Sequence, residues 1–223
     1  PFFTWHFTGK TRQPLPKMSP PTLALIIKAP RPREVKTRLA VTVGPAQAVR
    51  IYRQMVEKQI RAIPAGWNIR IHCAPAEDIP NMKDWLAPLT RPHMSFHPQP
   101  EGDLGERIDA AFTNAFIEGS NAVIAVGGDC PALDEAFLRR AAHALESHDA
   151  VLGPAQDGGY YLLGLAAPYP YLFENMPWST PVVLCETRRR LAEAHLSTHE
   201  LPTLNDVDDA ESWKDAVAQG WLR

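Results

Sequence analysis

From residue 22 to the C-terminus, short apolar runs alternate with stretches whose apolar residues recur every three or four positions. The first pattern reads as buried strand and the second as amphipathic helix. Leu23–Ile27 predicts a central strand, Ile69–Cys73 the next, and Met94–His97 a weaker one. Ala122–Val126 contains no polar residue, as expected for a strand covered on both faces. Val151-Leu152 and Tyr160–Leu165 supply two more strands. Between them, Val49, Tyr52, Met55, Val56, Ile60 and Ile63 predict a helix opening at Pro45, a favoured first-turn residue. Asp103 followed three residues on by Glu106 has the form of a capping box. It begins a helix lined by Leu104, Ile108, Ala111, Phe112, Ala115 and Phe116 and ended by Gly119. Further helices are expected over residues 134–146, from Thr180-Pro181 and from Asp208.

Strands alternating with helices predict an α/β protein with a mostly parallel sheet covered by helices. Residues 22–223 show no internal repeat and no linker-like tract, so they are expected to form one domain. Residues 1–21 include five prolines and no sustained periodicity, and are expected to be a disordered extension with Met18 as a candidate start. That segment lacks the cleavage site of a signal peptide.

Composition narrows the class without changing the fold. The chain has 223 residues, 45% apolar and 22% charged, as in ordinary globular proteins. A formal net charge of -2 argues against a generally basic nucleic-acid binder, so any affinity for phosphate must be local. No apolar run approaches the ~20 residues needed to span a bilayer. Cys73, Cys130 and Cys185 fit neither a disulfide framework nor a zinc pattern. They suggest a reducing compartment, the cytoplasm.

The candidate chemistry lies where strands end. The loop Lys28–Arg38 carries five cations, Lys28, Arg31, Arg33, Lys36 and Arg38, and is stiffened by Pro30 and Pro32. It follows the first strand and precedes a helix, the position at which open α/β sheets bind ligands. Phosphate is the matching ligand, although a solvated basic loop would look the same. The loop lacks the glycines of a P-loop or a dinucleotide fingerprint. Asp129, in Gly127-Gly128-Asp129, follows the buried strand; Mg²⁺ needs only one or two such carboxylates plus phosphates and water. Capping the next helix would compete for it, but Asp134 is better placed for that task. Asp157-Gly158-Gly159-Tyr160 reads both as a tight turn and as a ligand-facing segment. In Asn205-Asp206-Val207-Asp208-Asp209, the two carboxylates at 206 and 208 share one side of an extended chain. Asp208 is also a candidate helix cap, which leaves Asp206 as the better ligand contact. Cys130 has no partnered histidine base, and the eight histidines show no metal-ligand spacing.

The segments KAPRPREVKTRL, QPEGDLGERI, VGGDCPALD, GPAQDGGYYLLGL, MPWST and LNDVDDAESW occur in this order over about residues 22–213. Together they resemble a bacterial family of GT-A-like glycosyltransferases, including the radical-SAM/selenodomain-associated type. That family is similar to nucleotide-diphospho-sugar transferases and, more distantly, to cofactor nucleotidyltransferases. The resemblance implies a single-domain Rossmann-like GT-A fold and a nucleotide or nucleotide-sugar donor, with Mg²⁺ or Mn²⁺. It implies nucleotide contacts from Lys28, Lys36 and Arg38, to which the basic loop adds Arg31, and metal contacts from Asp129 and from Asp206 or Asp208. Asp157 would be the catalytic base, with Gly158, Gly159 and Tyr160 on the side of an unspecified acceptor. Glycosyl transfer is the expected reaction; nucleotidyl transfer with pyrophosphate release and a non-catalytic nucleotide-binding module are the alternatives. Arg33 stands where the family usually has glycine.

Overall fold

The structure, a computed structural model, describes residues 19–222; most of the predicted N-terminal extension lies outside them. Seven strands form one sheet: β1 Thr22–Lys28, β2 Ile69–Ala74, β3 Met94–Pro98, β4 Val123–Val126, β5 Ala150–Pro154, β6 Tyr160–Leu165 and β7 Thr198–Glu200. The helices are α1 Thr37–Val43, α2 Pro45–Ala62, α3 Ile79–Leu86, α4 Leu104–Ile117, α5 Glu135–Ala144, α6 Val183–Glu193 and α7 Ala210–Ala218. The strand order is β3-β2-β1-β4-β6-β5-β7, and only β6 runs against its neighbours.

Alternation along the strands sorts the core into two faces. Leu23, Leu25 and Ile27 of β1 join one cluster with α2, while Ala24 joins a second with Ile108, Ala111 and Phe112 of α4. Leu25 and Phe112 are essentially inaccessible to solvent, each worth roughly 1.5–3 kcal/mol of burial. α4 starts as its sequence requires: Asp103 accepts from the Glu106 N–H (2.9 Å), and Glu106 accepts from the Asp103 N–H (2.8 Å).

Three details differ from the expectations. α1, α3 and β7 were not anticipated, and the helix expected from Thr180 starts at Val183. The last helix is capped by Asp209, whose carboxylate accepts from Glu211 and Ser212, so Asp208 is released from capping. The Asp134 cap is as expected, accepting from the Phe137 N–H at 3.0 Å.

Candidate active site

β1 and β4 lie side by side and parallel, with their chain continuations leaving toward opposite sides of the sheet. Their carboxyl ends therefore form a topological switch point, the crest on which such sheets bind ligands. The Tyr52 hydroxyl of α2 clamps the end of β1. It accepts from the Lys28 N–H (3.0 Å) and donates to the Lys28 carbonyl (3.1 Å). Gln99, at the end of β3, donates to the carbonyls of Ile27 and His72, both at 2.8 Å, and so ties β1 to β2. Neither residue was singled out from sequence. Tyr52 was counted only as part of a helical core stripe, and Gln99 only as the first letter of a motif.

The cationic loop is folded onto the acids. Its backbone is left-handed at Arg33 (φ 67°) and at Lys36 (φ 47°), a region costing non-glycine residues about 1–2 kcal/mol each. The glycine that the resemblance leads one to expect at position 33 would suit that conformation, which this chain adopts with arginine. The turn drives Lys36 inward until its side chain is only 7% exposed, with Nζ 3.1 Å from Asp129 Oδ2 and 2.7 Å from Asp208 Oδ1. Burial alone would lower the Lys36 pKa, but the two carboxylates together raise it. Arg38 closes on the other oxygen of Asp208. Burial acts to raise the Asp208 pKa, but Lys36 and Arg38 reverse it and hold the carboxyl below the usual range. Arg31 pairs instead with Asp78, in the segment that follows β2, at 2.5 Å. Lys28 makes no ion pair with any described residue.

Asp206 is in the opposite condition. Its Oδ1 is buried and has no hydrogen-bond partner among the described residues. Burial, reinforced by Asp129, pushes its carboxyl well above the ordinary range. The segment is held in place by the Val207 N–H donating to the Asp129 carbonyl at 2.9 Å. Gly127 lets the Asp129 carboxylate fold back, since a Cβ there would lie 2.8 Å from Asp129 Oδ1. Gly128 instead packs on Ile27 and Val56, so it serves the core rather than a ligand.

Asp157 sits at the same crest because β6 returns antiparallel beside β4 and β5. Its Oδ1 accepts from the Gly159 N–H (2.8 Å), which holds the turn and leaves Oδ2 open. Gly158 (φ 87°) is structural: a Cβ there would fall 2.1 Å from the Pro181 carbonyl oxygen. Tyr160 packs against the α4-side core beside Thr187, and burial pushes its phenol pKa up. The structure thus does not bring Tyr160 into the cleft with Asp157. That cleft, about 280 Å³, is lined by Asp157, Asp206, Asp208, Asp209, Glu211 and Arg38 among others. Its surplus of carboxylates suits a cation and hydroxyl groups and repels a bare phosphate. Among the described residues, no three His, Cys, Asp or Glu side chains are arranged to hold a metal by themselves. Asp129 and Asp206, one with an orphaned buried oxygen, fit an ion that also takes ligands from phosphate and water. Asp208, held by two cations, does not share that condition. Cys130 is buried and its pKa raised by that burial, which suits packing rather than nucleophilic chemistry.

A mostly parallel sheet with an acidic, cation-braced crest defines an α/β fold of the nucleotide-sugar transferase type, and solved structures agree. Residues 59–180 match the family described as "Uncharacterized protein conserved in bacteria (DUF2064)", and the chain belongs to it. A crystal structure from Desulfovibrio desulfuricans G20, described as a candidate nucleotide-diphospho-sugar transferase, is 34% identical. It has a TM-score of 0.79, over 84% of this chain and 82% of that one. A CMP:2-keto-3-deoxy-manno-octonic acid synthetase complexed with CTP shares the fold at 10% identity. Its TM-score is 0.55, over 89% and 97% of the two chains. A manganese complex of Rv0371C from Mycobacterium tuberculosis H37Rv does so at 10% identity, with TM-score 0.51 over 89% and 98%. No curated protein shows significant similarity to the sequence. No helix among the described residues is long and apolar enough to cross a membrane.

Proposed function

We propose that the protein is a divalent-metal-dependent transferase that takes a nucleotide-diphospho-sugar as donor and passes the sugar to a hydroxyl acceptor. The observation that carries this reading is Asp206 Oδ1, a buried carboxylate oxygen beside Asp129 on the sheet crest, without a partner among the described residues. An uncompensated buried acceptor costs about 1–3 kcal/mol. Such a group persists where a ligand completes it.

Asp129 and Asp206 would hold Mg²⁺ or Mn²⁺, which supplies charge neutralisation for the leaving nucleoside diphosphate. Lys36 fixes the Asp129 carboxylate through its ammonium, and Asp208, itself paired with Arg38, holds Lys36 in turn. These two cations therefore act through the acids rather than on phosphate. Asp157, with Oδ2 open toward the acidic cleft, is positioned to take the acceptor's hydroxyl proton. The acceptor oxygen would then bond to the anomeric carbon as its bond to the diphosphate breaks, and nucleoside diphosphate would leave. The reduced state of the three cysteines agrees with a cytoplasmic setting.

The similarity at 34% identity supports sugar transfer. The fold shared with a CTP-bound synthetase supports a second reading, nucleotidyl transfer with release of pyrophosphate. A melting-temperature screen of nucleotides and nucleotide-sugars with Mg²⁺ or Mn²⁺ tests both. A ligand at about 100 times its Kd stabilises by ~2.7 kcal/mol, worth several degrees at this size. No shift with any nucleotide in the presence of metal would refute the proposal. Nucleoside diphosphate as product supports sugar transfer, and pyrophosphate supports the second reading.

A further inference from the structure

We infer that Arg107 and Lys28 form a phosphate subsite on the α4 side of the crest, which receives the phosphate chain of the substrate. Three of the five loop cations are already engaged: Arg31 by Asp78, Lys36 by Asp129 and Asp208, and Arg38 by Asp208. Arg107, in the first turns of α4, is not. Its Nε is buried without a hydrogen-bond partner, and its guanidinium pairs with no carboxylate among the described residues. Arg107 is half-buried, with its terminal nitrogens open while Nε lacks an acceptor, so its guanidinium is free to take an anion through two parallel hydrogen bonds.

The two cations are carried to the same side of the sheet, toward its crest. Arg107 and Glu118 are eleven residues apart on α4, close to three full turns, so they lie on the same flank of the helix. Glu118 pairs with Arg70 of β2, which fixes that flank as the one toward β2. Arg107 occupies its other end, at the crest. Lys28, the last residue of β1, continues the alternation of Ala24 and Ile26 and therefore leaves the sheet on the α4 side. Gly127 alternates to that side as well, and Asp129 Oδ1 lies against it. A phosphate chain can therefore run from Asp129 toward Lys28 and Arg107. The cleft on the α7 side is lined mainly by carboxylates, with Arg38 its one described cation and already paired with Asp208. The inference rests on the nucleotide reading for the origin of the phosphate, but not for the existence of the subsite.

Inorganic pyrophosphate, titrated calorimetrically into the full chain in metal-free buffer, tests it directly. Arg107→Met and Lys28→Met should each raise the Kd by about tenfold or more. Arg107→Met should also melt no lower than wild type without ligand, because it removes an unpaired buried group. Arg107→Lys, which keeps charge but not the fork, should bind with intermediate affinity. Equal pyrophosphate affinity in wild type and Arg107→Met overturns the inference, as does wild type that binds no pyrophosphate. If Arg107→Met fails to fold, Lys28→Met decides by the same criterion. Competition by a nucleoside diphosphate places the phosphate on the donor, and competition by a sugar monophosphate alone places it on the acceptor. Stabilisation by Mn²⁺ is read separately through Asp206, so failure of the metal reading and failure of this subsite are distinguishable.

Discussion

The two sides of the crest handle charge in opposite ways. On the α7 side, Lys36 and Arg38 are bound to Asp129 and Asp208, and their charge is spent inside the protein. On the α4 side, Lys28 and Arg107 have no carboxylate partner among the described residues, and Arg107 Nε lacks any hydrogen-bond acceptor there. The same contrast recurs within three residues: Asp208 is held ionised by cations, whereas Asp206 is buried and resists ionisation. Charge density alone therefore does not separate the cations paired within the protein from those the fold leaves unpaired.

The contrast can be broken at its strongest point first. Asp129→Asn removes both the Lys36 partner and the neighbour of Asp206. Turnover should fall at least ~100-fold, the scale for losing a transition-state charge contact, and stabilisation by Mn²⁺ should disappear from the melting curve. Lys36→Met should mainly cost stability, about 1–3 kcal/mol. The ammonium is buried, but its partners are about one-third exposed and partly solvated. Chemical denaturation measures that loss directly.

Asp206→Asn should act in the reverse sense and stabilise the metal-free protein by roughly 1–2 kcal/mol while abolishing its response to Mn²⁺. The sign follows from proton binding. A native carboxyl raised above its unfolded value binds more protons folded than unfolded. Its contribution to stability therefore declines as pH rises above about 4. Melting of the wild type between pH 5 and pH 9 should show this decline, and the Asn variant should lack it. A wild type and variant with parallel pH profiles would contradict the assignment. Arg38→Ala should be the smallest change, within about 1 kcal/mol, because Arg38 is 70% exposed.

Much of the frame was legible in the sequence because it is local or periodic. The all-apolar β4 and the capping box of α4 follow from short-range rules, and both are present. β7 has only three residues, and α1 contains Val41, Thr42 and Val43 with no acidic or capping side chain at its start. Neither offers enough pattern to detect. The last helix shows a different limit. Asp208 with Glu211 and Asp209 with Ser212 fit the same capping spacing. Asp208 is removed from that competition by Lys36, a residue far away in sequence. The candidate site was legible as residue types at strand ends, but which charges were already neutralised depended on such distant pairings.

The reversed direction of β6 gives the two ends of the site different capacities for change. Asp157 sits on a hairpin turn, anchored beside the crest by the Ala155–Leu204 bridge and by the Leu184 N–H donating to the Gly158 carbonyl. A hairpin tip can be lengthened or exchanged while its strands keep their register. Asp129 and Lys36 have no such freedom, because each is positioned by the end of a different parallel element. Where relatives differ on the proposed acceptor side, the change should therefore fall in residues added or exchanged around that turn, with Asp157 kept by the proposed proton transfer and Gly158 by its contact with the Pro181 carbonyl.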